Sequence, residues 1–165
     1  MPSLLQETRS GERIITSDIS VSNPKAWERA RICPETLADK VFSYDFIQLL
    51  PNKPCNVSLF FTSDRVIQGL NKTHRGKDKP TNVLSFPLHE VDPNNDQFLL
   101  GDIVLASGTI QREARSIDKT FENHCAHMLV HGFLHLLGFD HQKEAERQTM
   151  EAEEAKILNA LGFWR

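Results

Sequence analysis

Residues 131–141 read HGFLHLLGFDH, that is His131-x-x-x-His135-x-x-Gly138-x-x-His141. Residues four apart on an α-helix lie about 40° apart around its axis, so His131 and His135 project from one face, one turn apart. The apolar Val130, Phe133, Leu134 and Leu137 flank that stripe and bury the helix. Gly138 stands where a helix end takes a left-handed residue. The reversal there brings His141 back over the same face. The stretch predicts a central helix over about 120–137, the longest in the chain, carrying a three-histidine metal site at its end.

Imidazole nitrogen suits Zn²⁺ and other late first-row divalent ions. Three protein ligands leave a fourth position free, the arrangement of a catalytic rather than a structural zinc. One ion per chain is expected, held by His131, His135 and His141. A zinc protease with this spacing carries glutamate directly after the first histidine, and Gly132 stands there instead. Glycine inside a helix costs about 1 kcal/mol relative to alanine, so a close approach by a strand or substrate, or plain packing, should compensate. His124 and His127 lie upstream on roughly the same side. A fourth imidazole would close the site, so both are read as satisfied polar residues. Asp140 either orients a ligand histidine or caps the final helix.

Away from this segment, strands are expected over 13–21, 56–62, 81–86 (stopped by Pro87) and 99–106, where β-branched and apolar residues gather. Helices are expected over 34–50, on the spacing of Leu37, Val41, Tyr44 and Ile47, from a Ser63 or Asp64 cap to about Asn71, and over 107–116 and 143–161. Lys72 to Lys79 reads as a basic loop and His89 to Gln97 as a surface loop. Strands and helices mix without a regular βαβ repeat. The fold class is α+β: one domain over residues 1–165, a roughly four-stranded mixed sheet packed with about five helices, and residues 1–12 disordered.

The 165 residues carry a net charge of -3, which excludes a protein that coats nucleic acid through overall basicity. Charge is uneven: basic over 72–79, acidic over 144–154. No apolar run approaches the ~18 residues of a membrane span. The first residues lack a signal-peptide apolar core, so a cytoplasmic location is the expectation. Cys33, Cys55 and Cys125 form no CxxC pair and read as reduced, mostly buried thiols. Asp102 is expected as a buried turn residue bracing the cleft or as a partner of a ligand. Phe86 and Phe139 are read as core.

Taken with the histidine segment, Asn71 to Pro87 (including Arg75, Asp78, Pro80-Thr81 and Val83-Leu84-Ser85-Phe86-Pro87) and Leu100-Gly101-Asp102-Ile103 resemble the bacterial YbeY family of endoribonucleases, also called rRNA maturation factors. The resemblance spans about Asn71 to His141. It implies a zinc-dependent, single-strand-specific endoribonuclease that processes the 3′ end of 16S rRNA and serves ribosome quality control. It places the metal on His131, His135 and His141, and catalytic roles on Arg75 and His131. The implied partners are single-stranded ribosomal RNA, small-subunit ribosomal proteins and an assembly GTPase; neither a membrane nor DNA is expected. His74 and Phe139 stand where many members have tyrosine.

The residues alone favour the same chemistry. Arg75 has a permanently charged planar fork suited to phosphate, and Lys72, Lys77 and Lys79 can guide a nucleic-acid backbone. The competing readings are a metalloprotease, which Gly132 opposes, and a non-catalytic RNA-binding assembly factor with zinc as a staple, which an open coordination position opposes.

Overall fold

A computed structural model describes residues 3–4 and 15–164. Strands β1 (Ser3–Leu4), β2 (Ile15–Val21), β3 (Cys55–Thr62), β4 (Val83–Val91) and β5 (Phe98–Ala106) form one sheet in the order β1-β2-β3-β5-β4. The β2–β3 and β3–β5 pairs are parallel, and the two outer pairs antiparallel. The sheet is mixed as expected, with four strands of seven to nine residues and the two-residue β1 on one edge. The helices are α1 (Pro24–Arg29), α2 (Pro34–Phe42), α3 (Asp64–Arg75), α4 (Ser107–Ser116), α5 (Phe121–Leu136) and α6 (Glu144–Leu161). The expected disorder of residues 1–12, and the expected strand start at Arg13, lie outside the described residues apart from β1.

β3 sits centrally and shows the two-residue period of a pleated strand. Cys55, Val57, Leu59 and Phe61 are fully buried, and pack with α2, α5 and α6 in the main core. The opposite sheet face carries a smaller cluster of Ile67, Leu84, Val104 and Ala106 beneath α3. α5 is buried on nearly every side, through residues including Cys125, Leu129, Phe133 and Leu136, so it is the central helix.

Several expectations need correction. α2 ends at Phe42, eight residues early. The Asp45 carboxylate accepts from the Ile47 backbone N–H at 3.0 Å, a local bond that competes with helix. The burial then falls to Phe46, whose ring packs on Phe133 at 4.9 Å, while Ile47 is 48% exposed. Pro87 does not stop β4. The strand lies at the sheet edge, where a missing N–H forfeits no ladder bond, and it runs on through a bulge between Pro87 and Glu90. Half of the expected basic loop is helix: α3 continues to Arg75 and ends at Gly76, with φ 69°. α1, which buries Trp27, was not anticipated and makes six helices among the described residues. α6, with 18 residues, is longer than α5, with 16.

Candidate metal centre

Thr120 caps α5 by accepting from the Asn123 N–H at 3.1 Å. At the other end the Gly138 N–H donates to the His135 carbonyl and the Phe139 N–H to the Leu134 carbonyl, a Schellman turn. Gly138 has φ 100°. This turn carries the chain back so that His141 meets the two helical histidines. Ring centroids are 4.6 Å apart for His131 and His135, 4.8 Å for His135 and His141, and 5.5 Å for His131 and His141. One nitrogen from each ring lies within 4.8 Å of the others.

Proton placement tests whether a cation fits. The Phe139 carbonyl can only accept, so His135 Nδ1, 2.9 Å away, carries a proton. Glu154 accepts from His131 Nδ1 at 2.6 Å. In the neutral rings both Nε2 atoms are then bare lone pairs, and they face each other at 3.1 Å. Two tetrahedral zinc ligands at 2.0–2.1 Å sit about 3.3 Å apart. The donor set fits a late first-row cation. Burial, followed by the fields of His131 and His141, lowers the pKa of His135, keeping it neutral and able to ligate.

The trio forms one end of a cleft of about 820 Å³, whose walls include Arg75, Lys77, Asn82 and Ser85. Arg75 ends α3, is exposed, and makes no ion pair with any described residue. Its loop is tied down: buried Asn71 donates from Nδ2 to the Lys79 carbonyl at 2.9 Å, and Gln68 donates to Asp78 at 3.0 Å. Lys77 reaches the cleft, whereas Lys72 pairs with Asp78 at 3.7 Å. Asn82 donates to Glu113 at 2.9 Å and accepts from the Val83 N–H at 2.7 Å, so its amide is committed to holding the wall.

Gly132 answers the compensation its helix position asks for. Ser85 Oγ donates to its carbonyl at 2.8 Å. A Cβ there would lie 2.9 Å from Ile103 Cγ2, 3.0 Å from Ser85 Oγ and 3.1 Å from Val83 Cγ2. The close neighbour is the sheet, and any side chain at this position would have to push Ile103, Ser85 and Val83 aside.

His124 and His127 stay outside the trio, as expected. Their Nε2 atoms meet Glu113 at 2.9 Å and Glu154 at 2.7 Å. Asp140 neither caps α6 nor touches a ligand ring; its carboxylate accepts from the His141 backbone N–H at 2.7 Å. Asp102 is a correction: it is exposed, and lines a hollow of about 570 Å³ with Asp18 and Phe86 on the opposite sheet face. His74 lies there too, its ring 5.0 Å from Phe86, so its departure from tyrosine does not reach the histidine cleft. Phe139 packs partly against the main core.

Sequence reasoning missed Glu154. It is 5% exposed and bonded to two histidines. Burial alone would raise its pKa, but the hydrogen bonds from His127 and His131 outweigh that and hold it at about 2. The signal was present: Met150, Glu154, Ile157 and Leu158 fall on one helical stripe.

Three imidazoles open to a cleft with a basic wall are the layout of a metallohydrolase for an anionic substrate. Residues 18–162 match the family described as Endoribonuclease YbeY. A Rhizobium etli protein named Endoribonuclease YbeY is 53% identical over 70% of this chain and 68% of its own length. A protein of that name from Allorhizobium ampelinum is 46% identical, over 78% and 81% respectively. A solution structure from Thermotoga maritima aligns at 25% identity and a TM-score of 0.47, covering 87% of this chain and 91% of that one. The chain belongs to the YbeY endoribonuclease family.

Proposed function

We propose that this protein is a Zn²⁺-dependent, single-strand-specific endoribonuclease whose residues 1–165 form one catalytic domain acting on the 3′ end of 16S rRNA and in ribosome quality control. The carrying observation is the meeting of His131, His135 and His141 at a cleft whose wall includes Arg75, an arginine with no ion pair among the described residues. In this reading His131, His135 and His141 hold one cation, which supplies Lewis acidity toward phosphate and lowers the pKa of water. Other late first-row divalent ions fit the same donors.

Arg75 and His131 are the catalytic residues of the proposal. Arg75 offers two parallel N–H donors to the nonbridging oxygens of the scissile phosphate. Its charge opposes the negative charge that grows there, an electrostatic contribution of several kcal/mol where water is excluded. Lys77 attracts the flanking backbone. Asn82 and Ser85, fixed by Glu113 and Gly132, keep the wall in place. No helix among the described residues is long and apolar enough to cross a membrane, which accords with a cytoplasmic role. Small-subunit ribosomal proteins and an assembly GTPase are the proposed partners.

The test is cleavage of one RNA sequence in single-stranded and duplex form, with Zn²⁺ and after chelation. The proposal expects cutting of the single strand alone, lost on chelation and restored by Zn²⁺. Equal cutting of both forms, or cutting that survives chelation, contradicts it. Product ends then identify the nucleophile: a 2′,3′-cyclic phosphate marks attack by the ribose 2′-hydroxyl, and its absence marks water.

A further inference from the structure

α6 is rich in acidic residues, and most of them face solvent. Glu154 does not: it sits on the stripe of Met150, Ile157 and Leu158 that is buried in the core. A carboxylate removed from water is costly unless its oxygens are paired. Both oxygens are paired, and both partners are histidines of α5. Oε1 accepts from His131 Nδ1 at 2.6 Å and Oε2 from His127 Nε2 at 2.7 Å.

An ionised carboxylate only accepts, so each ring nitrogen facing it carries a proton. The consequence for His131 is specific. With Nδ1 protonated, Nε2 is the nitrogen left to ligate, and Nε2 is the atom that faces His135 Nε2 at 3.1 Å. His135 has its own proton fixed separately, by the Phe139 carbonyl. Among the described residues, His127 Nδ1 is buried without a partner. Its polar contact is with Glu154 Oε2, the carboxylate oxygen that His131 does not use.

We propose that Glu154 is a positioning residue of the metal centre, fixing His131 as the Nδ1–H tautomer with Nε2 aimed at the cation, and that His127 anchors the carboxylate for this task. The inference rests on the reading of the three histidines as a metal site. It gives α6 a part in that site although α6 contributes no ligand. Partners of this kind orient ligand imidazoles and raise their basicity, and losing one typically weakens metal binding by about 10- to 100-fold.

Two measurements on the full chain test it. Long-range ¹H–¹⁵N spectra of histidine-labelled wild type, with and without Zn²⁺, read the proton position on His131 directly. Zn²⁺ affinity of wild type and Glu154→Gln is read by competition with a chromophoric chelator, with circular dichroism to check folding. Glutamine presents one acceptor oxygen and one NH₂, so it cannot serve both rings as the carboxylate does. The expected results are Nδ1–H on His131 and an affinity about 10- to 100-fold lower in the folded variant. A proton on Nε2 of metal-free wild-type His131 overturns the proposal even if Glu154→Gln fails to fold. A variant that is less stable yet binds Zn²⁺ as wild type does overturns it too, since that is a purely structural role. Wild type that takes up no Zn²⁺ overturns the metal reading and this inference with it, whereas wild-type binding with an unaffected variant overturns this inference alone.

Discussion

Arg75 and Glu154 place opposite charges in opposite settings. Arg75 is exposed at a helix end and makes no ion pair among the described residues; Glu154 is buried with both oxygens taken. Replacing Arg75 by alanine should leave bound zinc unchanged and slow cleavage of single-stranded RNA by about tenfold or more, checked by elemental analysis beside a rate assay; unchanged turnover in the folded variant would remove Arg75 from the mechanism. The pH consequence of Glu154 has a definite sign. Its pKa is held at about 2 in the fold, below the ordinary value of about 4.3. It therefore stabilises the fold above the ordinary carboxylate range, and that stability drains away as pH falls toward about 2. Glu154→Gln should show a weaker dependence of unfolding free energy on pH in that acid window. The thiols differ as well. Cys33 is exposed and its pKa is lowered by hydrogen bonds from Thr36, whereas burial pushes Cys55 up to about 11 and Cys125 higher still. Native protein at pH 8 should give one fast thiol titre with a disulfide reagent, from Cys33, and three after unfolding. At this level the clustering of His131, His135 and His141 was legible because helix period and turn chemistry are local. Glu154 was hidden by its acidic neighbours, and its partner His131 lies 23 residues upstream. Asp102 was misread because a Gly-Asp pair does not reveal which sheet face the aspartate takes.

The packing of α5 on β4 shows how secondary elements set the site. Ser85 and Val83 come from one sheet face and Gly132 from the helix, and their contact leaves no room for a Cβ. Alanine at 132 gains about 1 kcal/mol of helix propensity. It also presses on buried Ile103 and half-buried Val83, an overpacking cost of about 1–3 kcal/mol. Gly132→Ala should therefore destabilise the protein in urea unfolding; a variant as stable as wild type would show that the helix and sheet can separate freely. Strand and helix existence was readable from where apolar residues gather or recur, as in β3, β5 and α2. Boundaries failed where tertiary structure outweighed local rules. Pro87 reads as a stop in isolation and is tolerated only because β4 is an edge strand. α2 reads as continuing to Leu50 until Phe46 finds its place against Phe133.

At the scale of the molecule, charge is arranged site by site. Arg75, at the end of α3, and Lys77 wall the histidine cleft, while Asp18 and Asp102 line a hollow on the sheet face beneath α3. The net charge of -3 does not show this placement. With about two basic side chains meeting phosphates, the logarithm of RNA affinity should fall with the logarithm of salt at a slope of about −1.4, as read by anisotropy titration. A slope several times steeper would mean that RNA follows a different surface. The most direct measurement is metal content and RNA cleavage of wild type and His135→Ala, each stripped of metal and then supplied with Zn²⁺. Convergence of the three imidazoles on one cation predicts one zinc per wild-type chain with cleavage restored, and a folded His135→Ala chain that regains neither. Metal-free wild type cutting at full rate, or His135→Ala retaining both zinc and activity, would contradict it.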